Sequence, residues 1–531
     1  VTLISSISAP QPLAIAKVAA TVPIGNPIES TAVTDSPSSI VTLLQDNKAV
    51  DALTYTSRGG IAQLDAPLSW EYTQHDKVSL HMRGNFGSSS TAGRFQNLGA
   101  SLLLQLAETN KNISQSVLRS STGRPLEAGE LAAAQAKLHS GIADNSISLT
   151  LNTASGKTIQ LTLSSQDNAL AVQAQVEGGD LSKEELAALG AMADGFESAI
   201  QGLTAVPPQL KLDTLIQFDS KVFSSVDLVT RFKLSDDSTQ TLELHADASQ
   251  RRVSMKDASG DLNIAVDLKN AAILGNSTQK AKALEGYIRQ IEAARDRGDG
   301  DRHLLSMFDS AFKAVHTNYS ESLAATVRQP PGSNYLTDTD RSMLTGLADF
   351  SATVTEKTVN GNPARPAELD SFSYDVSQST QSKGANRLNR TLVQDQQSHL
   401  TAQYHKPLHA GQKLELTTDS ESQNYLYYQI NDQASSTSRI GYAEGELVEA
   451  SISHSASQST RIAKYVKGNL EEDNLTPVSS SKTQNLLVVL QQALQQDKAA
   501  NLGRGRSFLE YTLAAIQDKV MLVSDPSEIK D

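Results

Sequence analysis

No cysteine occurs anywhere in the 531 residues. Disulfide scaffolds, cysteine-ligated zinc, iron–sulfur clusters and thiol nucleophiles are thereby excluded. Aromatic residues are scarce, at 5% with a single tryptophan, Trp70, so large aromatic ligand pockets are expected to be few. No apolar run reaches the length of a membrane-spanning helix, and none is expected. Positive charge is short as well: Lys plus Arg is 46 against 59 Asp plus Glu, a formal net charge of −13, with no long basic run. Nucleic-acid binding is therefore not expected, and the acidic balance favours solubility. Three common signatures are missing. No Gly-x-Ser-x-Gly elbow, no His-Glu-x-x-His and no complete Gly-x-Gly-x-x-Gly appears. "GRGRS" (503–507) has two glycines, lacks the third, and follows no strand.

What is present reads as an α+β chain. Residues 1–47, rich in Ser, Ala, Pro and Thr, read as a disordered N-terminal arm. Their first positive charge, Lys17, lies inside the apolar stretch and not before it, so no standard cleaved signal is expected. Export without one, or a cytosolic site, fits the composition equally. Residues 48–206 read as a helical and β-meander domain. In "TAGRFQNLGASLLLQLAE" the residues Phe95, Leu98, Leu102, Leu103 and Leu106 lie on one helical stripe, and an Ala-rich helix covers 126–138. Ile147, Leu149 and Leu151, then Ile159, Leu161 and Leu163, then Leu170, Val172 and Val176 alternate as three antiparallel strands. A helix opening on Ser182 and Glu185, at capping-box spacing, follows and ends before Pro207 and Pro208. Residues 207–327 repeat the plan as a meander with a helix pair near 277–297 and 301–317. Residues 328–340 read as a linker. Residues 341–531 read as a larger antiparallel β domain, with strands near 349–357, 370–380, 387–396, 398–406, 424–432, 437–443 and 447–461, then helices over 481–496 and 506–517. The expected architecture is multidomain, with β-meanders packed against amphipathic helices.

The motifs that suggest chemistry have simpler readings. Gly156, Lys157 and Thr158 spell the end of a phosphate-binding loop, but Leu151 occupies its first glycine position and no helix follows, so a hairpin turn is expected. Arg297, Gly298 and Asp299 fall between two helices and read as a solvated helix-hairpin loop. Glu184 and Glu185 sit in a first helical turn, where they complement the helix dipole. His399 and His405 share a strand face but stand about 20 Å apart at roughly 3.3 Å per residue, too far to share a metal; His409 follows Pro407 in a loop. No catalytic, cofactor-binding or metal-binding residue is assigned.

Several stretches, among them "YTSRGGIAQLDAP", "RFQNLGASLL", "QFDSKVFSSVDL", "LTGLADFSA", "NYLYYQIND" and "SASQSTRIAKY", resemble a group of uncharacterised bacterial proteins of the Pseudomonas type. Some of these carry a lactate dehydrogenase label. The doubly wound cofactor domain of that enzyme has no counterpart here, so the resemblance implies a bacterial source and transfers no catalytic residue. Finally, "SFSYDVSQST" (371–380) and "SISHSASQST" (451–460) share six of ten positions. Phe372, Tyr374 and Val376 in the first, and Ile452, His454 and Ala456 in the second, alternate with serines. Each reads as a strand with one packed and one hydroxyl-lined face, scaffold and not a site. The expectation is a non-enzymatic structural or interaction protein with a protein partner. The alternatives are an enzyme of unrecognised type and a cytosolic accessory factor.

Overall fold

The computed structural model describes residues 68–72, 75–120, 126–139, 143–235, 238–317, 336–386, 388–500 and 508–529. The expected arm over 1–47 and most of the expected linker lie outside these residues. All described residues belong to one compact unit, Asp65–Asp531.

The chain begins with β1 (Leu68–Trp70), then three helices: α1 (Lys77–Asn85), α2 (Thr91–Phe95) and α3 (Leu98–Thr109). After β2 (Ile113–Arg119) and α4 (Ala128–His139) come β3 (Asn145–Thr153), β4 (Thr158–Gln166) and β5 (Ala169–Glu177). Next are α5 (Lys183–Ala191), α6 (Ala193–Leu203) and α7 (Asp213–Ile216), then β6 (Phe223–Ser235), β7 (Ser238–Asp247), β8 (Gln250–Lys256) and β9 (Gly260–Asp267). The helix pair is α8 (Ser277–Gly298) and α9 (Arg302–His316), followed by α10 (Asp338–Ser342). Five strands follow: β10 (Asp349–Glu356), β11 (Ser371–Asn386), β12 (Asn389–Pro407), β13 (Tyr425–Ala443) and β14 (Glu446–Val466). β15 (Asn469–Asn485), α11 (Leu487–Ala500) and α12 (Phe508–Gln517) complete the set.

Among the described residues the strands form one antiparallel sheet of 15, in the order β1-β2-β5-β4-β3-β6 and then consecutively to β15. The expected boundary at 206/207 falls between β3 and β6, which pair directly, with Leu149 opposite Leu228. The expected linker falls between β9 and β10, also direct neighbours, with Ile264 opposite Ala352. One apolar core likewise runs from Val78 to Ile430 through strands on both sides of these positions. Most helices pack on one face of the sheet; α4 packs on the other, with Leu138 against Leu118, Ala169 and Ala171. A second core gathers Met343, Leu392, Ile440, Ile452, Leu490, Ile516 and Val520 beneath α10, α11 and α12.

Local departures from the sequence reading have local causes. The helix expected through Phe95 and Leu98 breaks into α2 and α3 because Asn97 adopts a left-handed φ of 58°. Glu197 accepts the N–H of Asn97 at 2.7 Å and of Ala100 at 3.3 Å, satisfying donors at the start of α3. The helix after Ser182 is likewise two, α5 and α6, meeting at Met192, although the expected capping box of Ser182 and Glu185 is present. Strands expected at 387–396 and 398–406 are the single strand β12, and those at 424–432 and 437–443 are the single strand β13. Neither seam, "QQS" nor "QASS", contains a Gly or Pro to break the strand. The helix expected over 481–496 starts only at Leu487, because residues up to Asn485 complete β15.

Candidate functional site

From β10 to β14, no helix among the described residues covers the face of the sheet opposite the main core, and two cross-strand rows of polar side chains lie open on it. One row is Thr353, Asp375, His399, Gln433 and Ser457, each in register with the next. The other is Ser351, Ser377, Gln397, Ser435 and Ser455. Together they line a depression of about 560 Å³. Five strands at about 4.8 Å spacing make it about 19 Å long across the sheet. The period-two pattern builds it: Phe372, Tyr374 and Val376 point into the core, which turns Asp375 and Ser377 outward.

Most of these polar groups are not engaged within the protein. Thr353 donates to Asp375 at 2.7 Å, and His399 Nε2 lies 3.2 Å from Asn431 Oδ1. Among the described residues the side chains of Ser351, Ser377, Gln397, Gln433, Ser435, Ser455 and Ser457 make no hydrogen bond within the chain. The depression therefore offers an array of neutral donors and acceptors to a ligand. Asp375 and His399 are directly opposite in register, yet each bonds another neighbour and no ion pair joins them. A nucleophile held by an adjacent base is not assembled among them.

At one end of the same face, residues 359–370 and 414–424 fold over the sheet and bury a tyrosine cluster of Tyr425, Tyr427 and Tyr465 with Ala463. His405 is the centre of this cap. Its Nδ1 lies 2.7 Å from Asp370 and its Nε2 3.3 Å from Glu368, and its side chain is only 2% exposed. Burial alone would lower its pKa, but the hydrogen bonds and charges of Asp370 and Glu368 prevail and raise it to about 9. Glu368 also accepts from Tyr425 at 2.6 Å. Burial disfavours its charge, yet the bonds from His405, Tyr425 and Tyr465 hold its pKa below the ordinary glutamate value. Arg365 lies over the Tyr465 ring at 4.1 Å, and Asn362 and Gln423 exchange amide hydrogen bonds of 2.8 and 3.0 Å. His405 thus clamps loop to sheet. His399 sits on the same strand face and His409 in the following loop. Among the described residues, no three His, Asp or Glu side chains are placed to hold a metal.

The other motifs resolve as structure. Gly156, at φ 89°, turns β3 into β4, and Lys157 bonds Glu185 at 2.8 Å. Burial opposes the charge on Glu185, but Lys157, Ser155 and the Ser182 N–H hold its pKa at about 2. Arg297 and Gly298 depart from the solvated loop expected of them. Arg297 pairs with Asp432 through two nitrogens and reaches Thr460 at 3.0 Å. Gly298 lies so close to β11 that an added Cβ would stand 2.7 Å from the Phe372 ring. The requirement is packing of α8 onto the sheet, which no local spacing announces.

The decapeptide repeat is scaffold that lines the site. Ser377 and Ser457, identical in the alignment, both face the depression. The matched Gln378 and Gln458 face the other way and bond main-chain carbonyls of Leu347 and Ser524 at 3.1 and 3.3 Å. Among the described residues no helix is long and apolar enough to cross a membrane. No family model, curated protein or solved structure matches the chain.

Proposed function

We propose that the chain is a non-enzymatic interaction protein that uses the polar face of β10–β14 to hold an extended, uncharged, hydroxyl-rich ligand, a neutral glycan. The observation that carries this reading is the pair of in-register rows whose serine and glutamine side chains have no partner within the described chain. Peptides are commonly held through apolar pockets or by main-chain pairing at a sheet edge, and the depression supplies neither. A single carboxylate, Asp375, and a single imidazole, His399, give it no strong field for an ion. The absence of an aromatic platform predicts modest affinity, built from many small hydrogen-bond gains.

The test is titration of the full chain with neutral oligosaccharides by calorimetry, alongside the double variant Gln397→Ala/Gln433→Ala. Saturable binding that the double variant weakens at least about tenfold, with an unchanged melting temperature, is expected, since exposed substitutions cost little stability. No saturable binding to any neutral oligosaccharide, or binding indifferent to both glutamines, rejects the reading.

A further inference from the structure

The two polar rows do not stop at the depression. Ser457 stands in register with Ser479 and Ser455 with Ser481, so both rows run on to β15, the outermost strand of the sheet. Both serines are exposed, and among the described residues their side chains make no hydrogen bond within the chain. At the other end the rows close. Asn263, in register with Thr353, already accepts from Ser254 at 2.7 Å, and Ala265, in register with Ser351, brings no polar side chain.

The rows are bounded sideways as well. On the flanking rows, polar side chains bond one another. Thr355 and Ser373 lie 3.0 Å apart, Thr437 donates to Asp395 at 2.7 Å, and Ser453 lies 2.9 Å from Thr483. Unengaged hydroxyls and carboxamides are thus concentrated in a band two rows wide that runs from β10 to β15. At the spacings of a sheet the band is about 24 Å long and about 7 Å wide.

This repeat selects among neutral glycans. A β-1,4-linked hexose chain is an extended ribbon. Its rings flip in succession, so hydroxyls project along both of its edges. Each sugar advances it by about one strand spacing, about 4.8 Å. Laid across the strands, it sets one sugar over each strand and one edge along each row. An α-1,4-linked chain coils instead, and its hydroxyls leave the line of the rows within a few sugars.

We propose that the ligand is a linear β-1,4-linked neutral glycan lying across the strands, one sugar per strand, and that Ser479 and Ser481 form its outermost subsite at the open edge of the sheet. A longer polymer runs free past that edge. This rests on the glycan reading above and adds its linkage, course and length.

The probes are cello-oligosaccharides from the dimer to the octamer, with malto-oligosaccharides of the same lengths as the coiled control. They are titrated by calorimetry into the full chain and into the variant Ser479→Ala/Ser481→Ala. Affinity for the cello series is expected to rise with each sugar up to the hexamer and then to level. In the variant the rise is expected to end at the pentamer. The hexamer is expected to bind the variant about tenfold more weakly, two hydrogen bonds being worth about that factor. Its melting temperature is expected to stay unchanged, because both positions are exposed. Ser479→Thr/Ser481→Thr, which keeps both hydroxyls, is expected to bind the hexamer nearly as the unaltered chain does. Levelling before the hexamer, a hexamer affinity that the alanine variant leaves unchanged, or malto-oligosaccharides bound as tightly as the cello series overturns this proposal and leaves the glycan reading standing. Absence of binding by every neutral oligosaccharide overturns both.

Discussion

At the scale of single residues, the most consequential side chain is His405. Its imidazole is closed off from water between Asp370 and Glu368 and keeps its proton to about pH 9, where an ordinary histidine would lose it near 6.5. Because its pKa is raised in the folded state, the charged ring contributes stability that is complete below 6.5 and disappears as the pH rises through about 9. Glu368 works in the other direction. Its pKa is lowered on folding, so its contribution is present above the ordinary value of 4.5 and is lost in acid. The clamp is therefore tightest between these limits. Substituting His405→Ala leaves Glu368, largely buried, and Asp370, about a third exposed, facing one another without their cation, and a loss of about 2 kcal/mol is expected. Denaturant unfolding measured below pH 6.5 and above pH 9 checks it. The unaltered chain loses stability across that interval, and the variant lacks this part of the slope.

At the scale of elements, the helix pair is seated by a glycine. The C-terminal turn of α8 approaches β11 and β12 so closely that a Cβ on Gly298 would meet the Phe372 ring at 2.7 Å and Ala402 at 3.1 Å. Phe372 is buried and cannot swing into solvent. Gly298→Ala is expected to cost about 1–3 kcal/mol through overpacking, read as a lowered thermal midpoint. The same change at Gly156, which has open space around it, tests only its positive φ. The glycine at 298 also marks what a sequence reveals and what it hides. Strands whose apolar residues alternate, such as Ile147-Leu149-Leu151, and helices with a full stripe, such as α9, are legible because their periodicity is their burial. β15 is exposed along nearly its whole length, so no alternation betrays it. The interior Gln394, Gln396, Ser436 and Ser438 read as surface residues, although all four are buried, with Gln396 satisfied by the Val520 carbonyl and Ser438 by that of Met343. Of the polar depression, the outward alternation of each serine was readable. The alignment of five strands into two rows was not, because register depends on the intervening loops and each row spans 104 residues of sequence, as from Thr353 to Ser457. The His405 clamp left no local trace, since its carboxylates lie 35 and 37 residues away.

At the scale of the whole molecule, a single sheet of 15 strands must end somewhere, and open ends invite pairing with other chains. One end is β1, only three residues long, too short to template much. The other is β15, with 17 residues and three exposed apolar side chains, Leu470, Leu475 and Val478. Its sequence carries the usual defences. Pro477 removes a donor near the middle of the strand, Lys482 places a charge further along, and Glu471, Glu472 and Asp473 crowd the start with negative charge. The acids are also tied inward, Asp473 to Arg461 at 2.6 Å and Glu472 to Lys464 at 2.8 Å, which keeps the strand paired with β14 and not with a neighbour. The net charge of −13 adds repulsion between molecules but is screened beyond about 8 Å at physiological salt, so the local guards must act at the edge itself. Replacing Pro477→Val and Lys482→Val together restores a donor and removes a charge without disturbing the pairing to β14. The expected result is self-association, seen as growing light scattering and a slower sedimenting-to-faster shift at concentrations where the unaltered chain stays dispersed. A double variant that disperses as well as the unaltered chain would show that β15 is protected by something other than these two residues.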